Sequence, residues 1–107
     1  MTDEITKAWS DKTTKQYKQH KGLKNESLRD NMTNVELILN MLAEVTTTDI
    51  TRINEPKTMP DHIGIARQGG SVAKGARLLY EEKTGKTAVS PLNAKNIKKL
   101  SGKNDYD

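Results

Sequence analysis

The stretch Lys21–Glu44, KGLKNESLRDNMTNVELILNMLAE, decides how this chain folds, because a polar basic arm passes there directly into a capped apolar helix. Thr33 and Glu36 have capping-box spacing: the Thr hydroxyl accepts from the backbone N–H three residues on, and the Glu side chain reaches back to the N–H of Thr33. Met32 before the cap and Leu37 at the fourth helical position are placed as a hydrophobic staple. The helix that follows, Val35 to about Val45, carries Val35, Ile38, Leu39 and Leu42 as its main stripe with Leu37 and Met41 on the flank. Apolar on more than one side, it is the candidate central helix of a core. Thr46, Thr47 and Thr48 are read as its end, since consecutive β-branched residues with backbone-bonding hydroxyls favour a boundary.

Upstream, residues 4 to about 20 form one weakly amphipathic helix in which Ile5, Trp9, Thr13 and Tyr17 recur at intervals of four and Gly22 ends the pattern. Such a polar helix is marginal alone in water and needs docking through Trp9 and Tyr17. Leu23 and Leu28 flank a polar turn, with Glu26–Arg29 as a further helical turn before Thr33. Downstream, Thr48 caps a short helix through Arg52 or Asn54, which Pro56 and Pro60 stop. A longer helix runs from about Asp61 to Thr84, with Gly85 as its C-terminal cap. Ala66, Gly69, Gly70, Ala73, Gly75 and Ala76 make one side of it thin. Each Gly costs about 1 kcal/mol against Ala, so close packing on another helix is the expected compensation, with a kink at Gly69 and Gly70 as the competing one. Thr87–Val89 are read as briefly extended, and Ser90 with Pro91 as the cap and first-turn proline of a last helix to about Leu100.

At 107 residues the chain has the length of one domain with a modest core. Hydrophobic residues make up 33%, there is no Phe, and mean hydropathy is -0.83, so the core is thin or shared with a second copy, and a homo-oligomer is one expectation. Without Cys, disulfides, Cys-ligated zinc and thiol nucleophiles are excluded, in keeping with a cytoplasmic protein. No apolar run reaches the roughly 18 residues of a membrane span.

The net charge of +4 is unevenly spread. Residues 1–29 hold seven Lys or Arg against four acids, residues 30–61 two against six, and residues 62–104 nine against two. Two basic zones therefore bracket an acidic middle, a pattern suited to polyanion binding or to association of unlike surfaces.

Several motifs fail on spacing. Gly70 and Gly75 have the separation of a phosphate loop, but Ala76 and Arg77 stand where Lys and a hydroxyl residue belong, and before Gly85-Lys86-Thr87 the first Gly is replaced by Tyr80. His20 and His62 lack a second ligand one turn away, so no metal is expected. Glu81 and Glu82 point about 100° apart on a helix and are better placed to pair with Arg77 or Lys86 than with each other. Ser71 and Ser90 have no nucleophile elbow. With no catalytic constellation and no cofactor motif, the expectation is a protein that is not an enzyme.

Basic residues remain. Lys12, Lys15, Lys18, Lys21 and Lys24 recur every three residues, while Arg67, Lys74 and Arg77 occupy neighbouring positions on the long helix and can extend toward Lys95, Lys98 and Lys99. The candidates for nucleic-acid or partner binding are Lys12, Lys15, Lys18, Arg67, Lys74 and Arg77. A solvated outer face is the competing reading of both sets. The pair Glu36–Arg52 also has a superficial helix-turn-helix outline, with only one Arg in its second helix.

The run KGLKNESLRDNMTNVELILNMLAEVTTTDI, continued by ARQGGSVAKGAR and EEKTGKTAVSPLN, resembles the C-terminal helical region of the bacterial DNA-damage-inducible protein D family over roughly residues 17–93. The resemblance implies a part in the bacterial damage (SOS) response as an inhibitor of recombinase filaments on single-stranded DNA. Full-length members also carry an N-terminal region resembling phage antirepressors, which these 107 residues do not include.

Together these readings predict an all-α compact bundle of four or five helices, with a central apolar helix and a long Gly/Ala-rich helix packed on it. Its expected organisation is a single helical domain over 1–104, with a basic N-terminal helix at 1–22, a core at 33–100 and a frayed tail at 105–107. The expected function is a non-enzymatic binding module of the damage response or a mobile element, acting on recombinase filaments or DNA. The alternative is a phage-type inhibitor or adaptor that binds a host protein. A nucleic-acid hydrolase is the third class, and it lacks a motif.

Overall fold

The computed structural model describes residues 2–97. Its described residues form four α-helices and a 3-10 turn, without strands: α1 (Thr2–Ser10), α2 (Thr14–His20), the turn Arg29–Asn31, α3 (Asn34–Asn54) and α4 (Met59–Thr84), with a further helical start at residues 94–97. The all-α expectation holds. The molecule is a slab measuring 49 × 33 × 19 Å, and its thin dimension is about two helix layers. One layer is the α3/α4 hairpin; α1 packs on it, chiefly against α4, and α2 reaches α3 through Tyr17.

Three capping boxes set the helix starts. Thr33 and Glu36 open α3 as read from the sequence, with Met32 buried and Leu37 packed against the core. Thr58 and Asp61 open α4 with Pro60 in the first turn, so Pro60 begins a helix here rather than stopping one. Thr13 and Gln16 open α2. Loss of a Thr cap typically costs about 1 kcal/mol.

The N-terminal segment expected as one helix is two. Asp11 adopts a left-handed backbone (φ 64°), which ends α1, and the Thr13–Gln16 box then restarts the chain. The turn lets Trp9 and Tyr17 meet edge to face, with ring centroids 6.0 Å apart and neither ring exposed. Indole Nε1 of Trp9 donates to Asn40 Oδ1 of α3 at 3.2 Å. The docking role expected of both aromatics is what the structure gives.

Helix α3 does not end at Val45, and Thr48 does not cap a separate helix. The Thr46, Thr48 and Thr51 hydroxyls donate to the carbonyls of Leu42, Glu44 and Thr47 four residues back, at 2.7–2.9 Å. That satisfies the hydroxyls inside a continuous helix. Glu55 in the left-handed region (φ 49°), followed by Pro56, ends it. A single helix over this range also removes the helix-turn-helix outline.

Helix α4 runs continuously through Gly69 and Gly70, so close packing rather than a kink explains these glycines. A Cβ added at Gly69 would lie 2.8 Å from the Thr47 nitrogen and 2.9 Å from the Ala43 carbonyl oxygen. At Gly70 it would meet the Cβ of Ala8 and sit 3.2 Å from the Ile5 carbonyl. The first glycine therefore admits α3 and the second α1. Gly85 caps α4 at φ 70°, as expected.

Residues 86–97 return to the α2–α3 junction, where Ala88 and Val89 join the core. Asn93, not Ser90, caps the last helical start: its Oδ1 accepts from the Asn96 N–H and its own N–H donates to Asn96 Oδ1, while Ser90 Oγ accepts from the Leu92 N–H in a turn. Likewise Glu26–Arg29 adds no α-turn, and the 3-10 turn begins at Arg29. The expected extension of the last helix to Leu100, Lys98, Lys99 and the tail lie outside the described residues.

Candidate functional site

At the junction of α2, α3 and the returning C-terminal segment lies Glu36, with no exposed surface. Its Oε1 accepts from Lys21 Nζ at 2.7 Å and from the Thr33 N–H at 2.8 Å. Oε2 accepts from the Tyr17 hydroxyl and from the Ser90 N–H at 3.0 Å. Lys21 Nζ also donates to the Leu92 carbonyl at 2.7 Å and lies 5.6 Å from the centre of the Tyr17 ring. An ion pair with 0% side-chain exposure on both partners survives desolvation only when such further bonds are present. Burial, then the carboxylate it donates to, holds the Tyr17 hydroxyl far above its ordinary range.

By sequence, Lys21 belongs to the basic arm and its contact surface. The structure corrects this: Lys21 is interior, and a solvent-borne partner reaches neither its ammonium nor Glu36 while the bundle is closed. The hub joins segments 15, 19 and 54 residues apart and is a structural clamp.

The six candidate basic residues divide into two groups. Arg77 is buried on α4: Nε donates to the Trp9 carbonyl at 2.8 Å, one terminal nitrogen to Asp11 at 2.7 Å, and the other to Glu81 one turn on at 3.2 Å. The expected Arg77–Glu81 pairing is present. Lys74 binds the other Asp11 oxygen at 2.9 Å, and Arg67 lies 3.5 Å from Glu4. Hydrogen bonding from Lys74, with the nearby charges of Lys74 and Arg77, holds the Asp11 carboxyl below its ordinary range. Lys74 and Arg77 thus tie α4 to α1 and to the α1–α2 turn, whereas Arg67, 69% exposed, makes only a surface contact with Glu4.

The second group stands free. Lys15 and Lys18 on α2 border an open cleft of about 620 Å³ together with Lys24, Thr13, Thr14, Gln19, Leu23 and Asp3. Asp3 is engaged by the Thr14 N–H at 2.7 Å, and that bond lowers its carboxyl. Among the described residues, no carboxylate forms an ion pair with Lys12, Lys15, Lys18 or Lys24. Lys12 lies in the α1–α2 turn, outside this cleft. Lys24 is visible in the three-residue Lys repeat but is not among the six candidates; the turn at Gly22, φ 72°, follows α2 and precedes it.

Three ammonium groups around one open cleft can hold phosphates without reading sequence. Base stacking is poorly served, because Trp9 and Tyr17 are fully buried and Tyr80 packs against the core. No group of three His, Asp or Glu that could hold a metal ion occurs among the described residues, and no helix among them is long and apolar enough to cross a membrane. No family model, curated protein or solved structure matches the chain.

Proposed function

We propose that this chain is a non-enzymatic binding module of the bacterial DNA-damage response or of a mobile element, acting on recombinase filaments or DNA through a basic surface. The resemblance to DNA-damage-inducible protein D supplies the biological setting. The observation that carries the reading is the cleft bordered by Lys15, Lys18 and Lys24, none of which forms an ion pair among the described residues, whereas Asp11 holds Lys74 and Arg77 and Glu4 makes a looser surface contact with Arg67. Phosphate contact through these lysines gives affinity without base specificity.

Fluorescence anisotropy with a labelled single-stranded oligonucleotide tests it, with and without a recombinase filament assembled on the strand. Binding at low salt that is indifferent to sequence is expected. No binding to bare or coated strand contradicts the proposal, and retention of one host protein after nuclease treatment of a lysate would favour an adaptor instead.

A further inference from the structure

We infer, resting on the phosphate-binding reading of the lysine cleft, that a second cavity beside it takes one unpaired base of the bound strand. This cavity, about 280 Å³ in volume, is lined from α1, α2 and α3. Thr14 and Lys18, one turn apart on α2, border both spaces, so the cavity and the cleft adjoin. A strand with its phosphates on Lys15, Lys18 and Lys24 therefore passes the cavity mouth.

Asn40 supplies the recognition. It is 6% exposed on α3 and lines the cavity. The Trp9 indole N–H donates to its Oδ1 at 3.2 Å, which fixes the amide with Nδ2 turned the other way. That nitrogen makes no hydrogen bond among the described residues. Among the same residues, Thr47 Oγ1 is the one unbonded side-chain N or O atom sealed from solvent, so Asn40 Nδ2 opens on the cavity rather than into the core. A donor fixed in this way meets an acceptor with little further loss of freedom.

The rest of the lining says what carries the acceptor. Buried Leu28 and Met32 give the cavity an apolar wall, and Lys18 stands at its edge as a cation. Arg29 and Glu44 at the rim neutralise each other at 3.0 Å. A flat apolar ring bearing an acceptor and joined to an anion matches this set, and a nucleotide has all three. The volume lies just under the usual range of ligand sites, which begins at about 300 Å³, so it holds one base and not a stacked run. Each base presents an acceptor, so a single donor does not choose among them and binding stays indifferent to sequence. A base that is already unpaired enters at the least cost.

Fluorescence anisotropy with a labelled single strand, set against an abasic strand of equal length that keeps the phosphates and lacks the bases, reads the outcome. The single strand is expected to bind on the order of tenfold more tightly. Lys15→Glu, outside the cavity, is expected to weaken both strands alike and keep that ratio. Asn40→Asp still accepts from Trp9 but loses the donor, and is expected to bring the ratio close to one. Ser27→Tyr fills the cavity from its exposed side and is expected to do the same, which serves as the test should Asn40→Asp lose its helical circular dichroism. Equal affinity of the unaltered chain for the two strands, or a ratio that survives Ser27→Tyr in a folded protein, would overturn the inference and leave phosphate binding by the lysines standing. Binding to neither strand would overturn both.

Discussion

Lys21 and Glu36 form an ion pair at 2.7 Å with neither side chain exposed, and the same carboxylate caps α3 and binds Tyr17 and Ser90. The first turn of the central helix is thereby tied to both ends of the described chain. Removing one partner strands a buried charge, which costs far more than removing both. Lys21→Met is expected to destabilise by roughly 3–5 kcal/mol in urea unfolding, and Lys21→Met/Glu36→Gln by clearly less than the two single changes added. Additive losses would show that the pair is not coupled.

Alkaline stability depends on Tyr17. Its hydroxyl ionises in the unfolded chain near 10.0 and is pushed above that in the fold, so the folded state holds the proton more tightly. The resulting contribution is complete below pH 10 and declines as pH rises further. Tyrosinate absorbance should show one of the three tyrosines ionising only as helical signal is lost. All three ionising while the helices persist would count against the buried bond to Glu36.

Asp11 works in the opposite direction. Its lowered carboxyl contributes stability above the ordinary value of 3.8 that disappears as pH falls through the folded value. The side chain is 54% exposed, so the contribution is under about 1 kcal/mol. Asp11→Asn tolerates the left-handed backbone and removes only the charge, so it should lower stability at neutral pH and flatten the acid limb of a thermal melt series.

The glycines of α4 are not equivalent. Gly69→Ala and Gly70→Ala force backbone or side chain aside and should each cost about 1–3 kcal/mol. Gly64 has nothing within 4 Å of an added Cβ, and Gly64→Ala should stabilise by about 0.5–1 kcal/mol. Chemical denaturation of the three variants separates packing from helix propensity.

Much of the framework was legible because it is local. Thr33 with Glu36, Gly85 after α4, and Arg77 with Glu81 are relationships within one or two helical turns, and the physics that sets them is carried by adjacent residues. The break at Asp11 was also available, since Thr13-x-x-Gln16 is the same box as Thr33-x-x-Glu36, yet the four-residue recurrence through Trp9 and Tyr17 hid it. Thr46–Thr48 misled because a hydroxyl can end a helix or bond back inside one, and burial of the neighbouring turns decides which. Nothing local distinguishes Lys21 from Lys18 or Lys24. Its inward turn depends on a carboxylate 15 residues away and a carbonyl 71 residues away. For the same reason, the sequence could not divide the basic residues into a paired set on α4 and an unpaired set beside α2.

That division is most directly tested by the salt dependence of binding to single-stranded DNA. For single strands the slope of log K against log salt changes by about 0.7 for each phosphate that a protein cation neutralises. Charge reversal at Lys15, Lys18 and Lys24 is expected to remove most of the affinity and flatten the slope by about 2, while Arg67→Glu changes it little. Unchanged binding after reversal of the three lysines, or a weakening confined to Arg67→Glu, would contradict the assignment of the contact surface to the α2 cleft.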